Sequence, residues 1–198
     1  MKTILVPFLG FFLMSAVPAF ADTTYTYTGN PFDSFSGNYS CGSECAISGS
    51  FTVANPLASN LPPTVLEGEN SILATGFPVS SSQVESFSFT DGNSTFDQNN
   101  SYFPNSAILI GTDTNGMIND WTVFLQFGPY TNYLYTTNIP GRDISSNQVG
   151  SYPYTTLGTA FNNDNPGTWS VTDTPEPSSL LMLGSGLIGL GFIRRRIA

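Results

Sequence analysis

The chain has 198 residues, 40% of them hydrophobic and only 10% charged, with five basic residues, fourteen acidic ones, no histidine and a net charge of −9. Without histidine there is no Ser-His or Cys-His nucleophile, no ordinary zinc site and no side chain that titrates naturally near neutrality. Neither a Gly-x-Ser-x-Gly elbow nor a phosphate-cradling Gly-rich loop occurs, so enzymatic readings narrow to carboxylate chemistry.

At the amino end, MKTILVPFLGFFLMSAVPAFA sets Lys2 before an apolar stretch from Ile4 to Met14 and closes on Ala19-Phe20-Ala21. A charged start, a short apolar middle and small residues at the peptidase positions describe a secretory signal peptide over 1–21, cleaved after Ala21. A spanning helix would want about 20 apolar residues. The exported body is then 22–174. Without Lys2, Arg194, Arg195, Arg196 and Glu176 it holds thirteen acids against Arg142 alone, a net charge of −12. Such a surface repels phosphate backbones and attracts cations, which excludes a nucleic-acid partner.

The body is rich in Thr, Ser, Asn, Gly, Tyr and Phe, and its stretches alternate with a period of two, which predicts an all-β fold. TTYTYT sends Thr24, Thr26 and Thr28 to one face and Tyr25 and Tyr27 to the other. In YSCGSECAISG, Cys41 and Cys45 reach an oxidising compartment after export and are expected to form a disulfide that pins a turn. AISGSFTV places Ile47, Gly49, Phe51 and Val53 on a common side, Pro62-Pro63 marks a loop, VESFSFT alternates Phe87 and Phe89 with Ser86, Ser88 and Thr90, and Asp91-Gly92 marks a turn. SAILIGTDTNGMINDWTVFLQF reads as a hairpin around Asn115-Gly116 in a tight primed turn, with Trp121, Val123, Leu125 and Phe127 sharing a face. Asn165-Pro166-Gly167 turns into a last strand with Trp169 and Val171 inward. Short strands separated by turns predict a jelly-roll-like sandwich of about eight to ten strands.

The polar and aromatic residues suggest several sites. Asp113, Asn115, Asn119 and Asp120 around the hairpin turn, and Asp164 beside Asn162, Asn163 and Asn165, could offer oxygens to Ca²⁺, although Asp and Asn are also good turn residues. No other cofactor is expected. A glycoside hydrolase would need two facing carboxylates, with Glu67, Glu69 and Glu85 as candidates on solvated loops or strand ends. Tyr102, Tyr130, Tyr133, Tyr135, Tyr152 and Tyr154 crowd the second half, where exposed rings would serve a carbohydrate-binding module and buried ones the core. The threonine row at Thr24, Thr26 and Thr28 is a candidate ice-binding strip.

The carboxyl end, TPEPSSLLMLGSGLIGLGFIRRRIA, joins Pro175-Glu176-Pro177 to an apolar stretch and to Arg194, Arg195 and Arg196. As a helix, Leu180 to Ile193 would rise about 21 Å against a hydrocarbon core of about 30 Å, and starting near Pro177 with snorkelling arginines recovers much of the difference. A transmembrane helix over about 178–193 follows, its arginines held in the cytosol and the body facing outward. Two prolines keep the junction extended, as a peptidase cleft requires.

This order of parts resembles the PEP-CTERM sorting signal. The resemblance implies that 175–198 is recognised in the inner membrane by a separate enzyme, an exosortase. Pro175, Glu176 and Pro177 would then be substrate residues, the membrane anchor transient, and the body passed to the periplasm, cell surface or extracellular matrix. More diffusely, YTYTGNPFDSFSG, the Cys pair before ISGSFTV, and NPGTWSV are similar to domains carried by other PEP-CTERM proteins, a likeness that implies no catalytic residue. The expectation is a non-enzymatic surface or matrix protein associated with exopolysaccharide or biofilm.

Overall fold

The computed structural model describes residues 22–39, 45–68, 83–102, 105–127, 132–138, 141–149 and 155–173. Twelve strands and no helix occur among them. Ala21–Pro175 forms one compact unit. The expected signal peptide with Ala19 and Ala21, Cys41, Glu69, Tyr130, Tyr152, Tyr154 and the tail from 174 onward, with the expected helix and Arg194–Arg196, lie outside the described residues.

Two antiparallel sheets share one core. The first has the order β12-β1-β3-β5-β6 and the second β2-β11-β10-β9-β8-β7-β4. In the first sheet β1 is Thr23–Thr28, β3 Ser48–Val53, β5 Val84–Thr90, β6 Thr95–Asp97 and β12 Thr168–Asp173. In the second, β2 is Ser34–Gly37, β4 Thr64–Gly68, β7 Ala107–Thr112, β8 Ile118–Gln126, β9 Tyr133–Asn138, β10 Gly141–Val149 and β11 Thr155–Asn163. The inward residues are those that alternation selects: Tyr25, Tyr27, Phe51, Val53, Phe87 and Phe89 from one sheet, and Ile108, Ile110, Trp121, Val123, Leu125 and Leu134 from the other, all buried. Burying each such side chain contributes roughly 1.5–3 kcal/mol before ordering costs are counted. Trp169 completes the centre, its ring 5.1 Å from Tyr27, 5.6 Å from Phe51 and 6.3 Å from Trp121.

The fold differs from expectation in four places. There are twelve strands, and only the first five alternate between sheets as a jelly roll would; β7 to β11 follow one another as a meander within one sheet. Hairpin-length connections between those five strands favour neighbour pairing over crossing. The Asn115-Gly116 turn is not primed: Gly116 alone takes positive φ, at 78°, while its N–H bonds Asp113 O at 3.1 Å and Asp113 N–H bonds Met117 O at 2.9 Å. That is a three-residue loop ending in a left-handed glycine. The Asp113 carboxylate caps it, accepting from the N–H groups of Asn115 at 2.8 Å and Met117 at 3.0 Å. Phe127 lies beyond the end of β8, 44% exposed, with its ring edge-on to Phe96. Val171 shares Trp169's side of β12 by parity but is 40% exposed, because β12 is an edge strand.

Candidate functional site

The two outer faces of the molecule have opposite chemistry. On the seven-stranded sheet, Trp121, Val123, Leu125, Leu134, Asp143 and Ala160 point inward, so the residues between them point out. Register brings Phe124 opposite Tyr135, Tyr135 opposite Ile144 and Ile144 opposite Phe161. Phe124 stacks on Tyr133 with centroids 5.5 Å apart and meets Tyr135 edge-on at 6.2 Å. Beside them a shallow depression of about 310 Å³ is lined by Tyr133, Ile144, Thr159, Phe161 and Asn163. All five rings and aliphatic chains are half-exposed, a row of apolar planes edged by a hydroxyl and an amide.

On the five-stranded sheet the inward residues are Tyr25, Tyr27, Phe51, Phe87, Phe89 and Trp169; the residues alternating with them on β12, β1, β3 and β5 carry hydroxyls, and Asp97 on β6 borders them opposite Ser88. Three rows cross four strands: Thr172, Thr24, Thr52 and Ser86; Ser170, Thr26, Ser50 and Ser88; Thr168, Thr28, Ser48 and Thr90. All twelve are exposed or half-exposed and none is charged. Strands lie about 4.8 Å apart and alternate residues about 6.7 Å apart, so the rows form a grid roughly 14 by 13 Å. Thr24 and Thr52 share a hydrogen bond across it at 3.0 Å. The sequence showed only Thr24, Thr26 and Thr28 along β1, since the rows across strands exist only once strand register is known.

Between the sheets lies a buried polar group that sequence reasoning missed. Tyr27 Oη donates to Asp143 Oδ1 at 2.7 Å and accepts from Gly167 N–H at 2.7 Å. Asp143 pairs across the sheet with Thr136 on β9 and Asn162 on β11, all three essentially without exposure. Trp121 Nε1 donates to Thr136 Oγ1 at 3.1 Å, and Asn162 Nδ2 to Pro31 O at 2.9 Å. Asp143 Oδ2 and Asn162 Oδ1 have no hydrogen-bond partner among the described residues. Burial pushes the Asp143 carboxyl up to about 6, against the opposing hydrogen bonds from Tyr27 and Thr136. Burial and the adjacent carboxylate raise Tyr27 far above the ordinary phenol range, so it stays neutral. The only hint in GRDISSNQV was an acid inside a strand, and a strand polar on both faces gives no parity signal.

The other candidates fall as follows. The backbone N–H groups of Met117 and Asn115 hold Asp113 below the usual carboxylate range. Its carboxylate is thus occupied by its own turn, while Asn119 is exposed and Asn138 Nδ2 donates to its carbonyl. Asp164 is exposed at positive φ, 60°, whereas its neighbour Asn162 points inward. No group of three Cys, Asp or Glu that could hold a metal occurs among the described residues. A depression of about 440 Å³ between the strand ends is lined by Val53, Pro56, Leu57, Leu61, Gln83 and Glu85 among others, with Glu85 its one carboxylate among the described residues. Glu67 is half-buried on β4 and is not part of that lining. Tyr133 and Tyr135 lie on the ring face, Tyr102 is 36% exposed, and Cys45 packs against the core.

Residues 173–196 match the PEP-CTERM protein-sorting motif. No curated protein and no solved structure matches the chain. The motif implies an exported protein with an exosortase as its processing partner. Among the described residues no helix is long and apolar enough to cross a membrane.

Proposed function

We propose that this is a non-enzymatic surface or matrix component that associates with exopolysaccharide once its tail has been processed. The sorting motif supports the destination, and the ring face carries the binding reading. Phe124, Tyr133 and Tyr135 present half-exposed planes held by strand register, and such planes stack on the apolar faces of sugar rings. The body's net charge of −12 opposes anionic polymers, so the partner is a neutral glycan. The test has two parts. Alanine at Pro175, Glu176 and Pro177 leaves full-length protein in the inner membrane; normal release of that variant would place recognition elsewhere. Retardation of the exported body in gels cast with neutral polysaccharides falls roughly tenfold for Tyr133→Ala, the effect of losing about 1.4 kcal/mol of stacking. An unretarded wild-type body removes the glycan reading.

The hydroxyl grid favours a second reading, ice binding. A rigid, uncharged lattice of hydroxyls and Thr methyls, with no ring to stack on a sugar, fits a solid that repeats in two dimensions, and ordered water is the simplest of these. Each hydroxyl donates once and accepts twice, so the grid can match either polarity of lattice site. Thermal hysteresis of the exported body, abolished by Ser50→Tyr at the centre of the grid, is the expected result. Its absence from the wild-type body ends this reading and leaves the first intact.

A further inference from the structure

The sorting motif meets the folded body at β12. Among the described residues this strand is hydrogen-bonded to β1 alone, at the edge of its sheet. Near its start Trp169 is packed among Tyr27, Phe51, Phe89 and Trp121. From there to its end Ser170, Val171, Thr172 and Asp173 are all exposed. At the last pair Thr23 Oγ1 donates to Asp173 Oδ1 at 3.0 Å. Asp173 is also the first residue of the matched motif, and Pro175 follows two residues on. Even a fully extended chain therefore keeps the Pro175 Cα within about 7 Å of the last paired residue.

That distance conflicts with recognition of an extended peptide. An enzyme that grips such a segment pairs with its backbone N–H and C=O groups. Pro175 and Pro177 have no N–H to offer, so the donors must come from Glu176, Thr174 and the residues before them. Those earlier residues already pair with β1 along one edge, Asp173 with Thr23, Thr172 with Thr24 and Val171 with Tyr25, so while they are docked only the backbone groups on the open edge are free and a cleft cannot enclose the segment from both sides.

We propose that Val171–Asp173 form part of the segment the exosortase grips, and that they peel from β1 before processing while Trp169 stops the peeling. This inference rests on the reading of the tail as an exosortase substrate. The strand is built for it: a partly buried anchor packed among four rings at one end, and beyond it no side chain whose removal from the core would resist. The Thr23–Asp173 hydrogen bond is the latch.

A staple tests the peeling. Thr24→Cys with Thr172→Cys joins directly opposed residues, whose Cα separation of about 4.5–5.5 Å in an antiparallel pair suits a disulfide. The full chain is followed by pulse-chase in exosortase-containing cells, with each single-cysteine variant as control and gel mobility under non-reducing conditions to verify the staple. The expected result is loss of the mature form from the stapled chain. Its return is expected when a Gly-Ser-Gly-Ser spacer is inserted after Asp173, because the enzyme can then grip the spacer. A misfolded variant would not be rescued by added length, so the spacer separates a blocked segment from a damaged fold. Processing of the stapled chain at the rate of its controls, or failure of the spacer to restore it, overturns the inference. If the unstapled chain also stays full length in those cells, the sorting reading itself has failed.

Discussion

Replacing Asp143 by asparagine isolates the cost of keeping a carboxylate between the sheets. Asp143 is fully buried, one oxygen bonded to Tyr27 Oη and the other unpartnered, and burial moves it from an ordinary value of 3.8 to about 6. A carboxyl raised on folding binds its proton more tightly in the folded state. Its contribution is therefore complete below about pH 4, is lost as pH climbs through about 6, and is flat above. The gap between 3.8 and about 6 converts to roughly 3 kcal/mol at about 1.4 kcal/mol per pH unit. Asparagine keeps the acceptor for Tyr27, cannot ionise, and brings an amide donor that can serve the unpartnered Asn162 Oδ1. Urea unfolding of the exported body between pH 4 and pH 7.5 should show Asp143→Asn more stable by up to about 3 kcal/mol at pH 7.5, or roughly 6–12 °C in Tm, with the advantage gone at pH 4. Repulsion among the other acids acts on both proteins, so the difference between the two curves reports Asp143. Parallel curves across that range would refute the account.

Gly49→Ala should cost roughly 1–3 kcal/mol in the same unfolding assay, because its methyl would lie 2.5 Å from the buried Phe89 ring and 2.5 Å from Ser88 O; an unchanged midpoint would mean the strands have room to part. Gly116→Ala places a side chain at φ 78° and should lower stability by about 1–2 kcal/mol, whereas Asn115→Ala, at an ordinary φ, should cost less than half of that. Cys41 and Cys45 should resist alkylation in exported protein until a reductant is added, and Cys41→Ser with Cys45→Ser should cost about 2 kcal/mol for so small a ring; free thiols in native material would reject the pairing.

Alternation was enough to place Tyr25, Tyr27, Phe51, Val53, Phe87, Phe89, Trp121, Val123 and Leu125 in the core, because a strand's side chains take opposite sides whatever its neighbours are. The tail was equally legible, being a linear motif matched over 173–196 and read as an extended segment. Strand order, the ring face and the hydroxyl grid were not, since each depends on which strand lies beside which. Thr24 meets Thr52 and Thr172 only because register across the sheet aligns residues far apart in the chain. Asp143 was hidden for the same reason: whether an acid is solvated or sealed beneath Tyr27 is decided by the sheet opposite, not by its own neighbours. Local periodicity thus settled which side of each strand is apolar, and long-range pairing settled what the polar sides jointly present, because a face of a sheet is a property of several strands and of no single one.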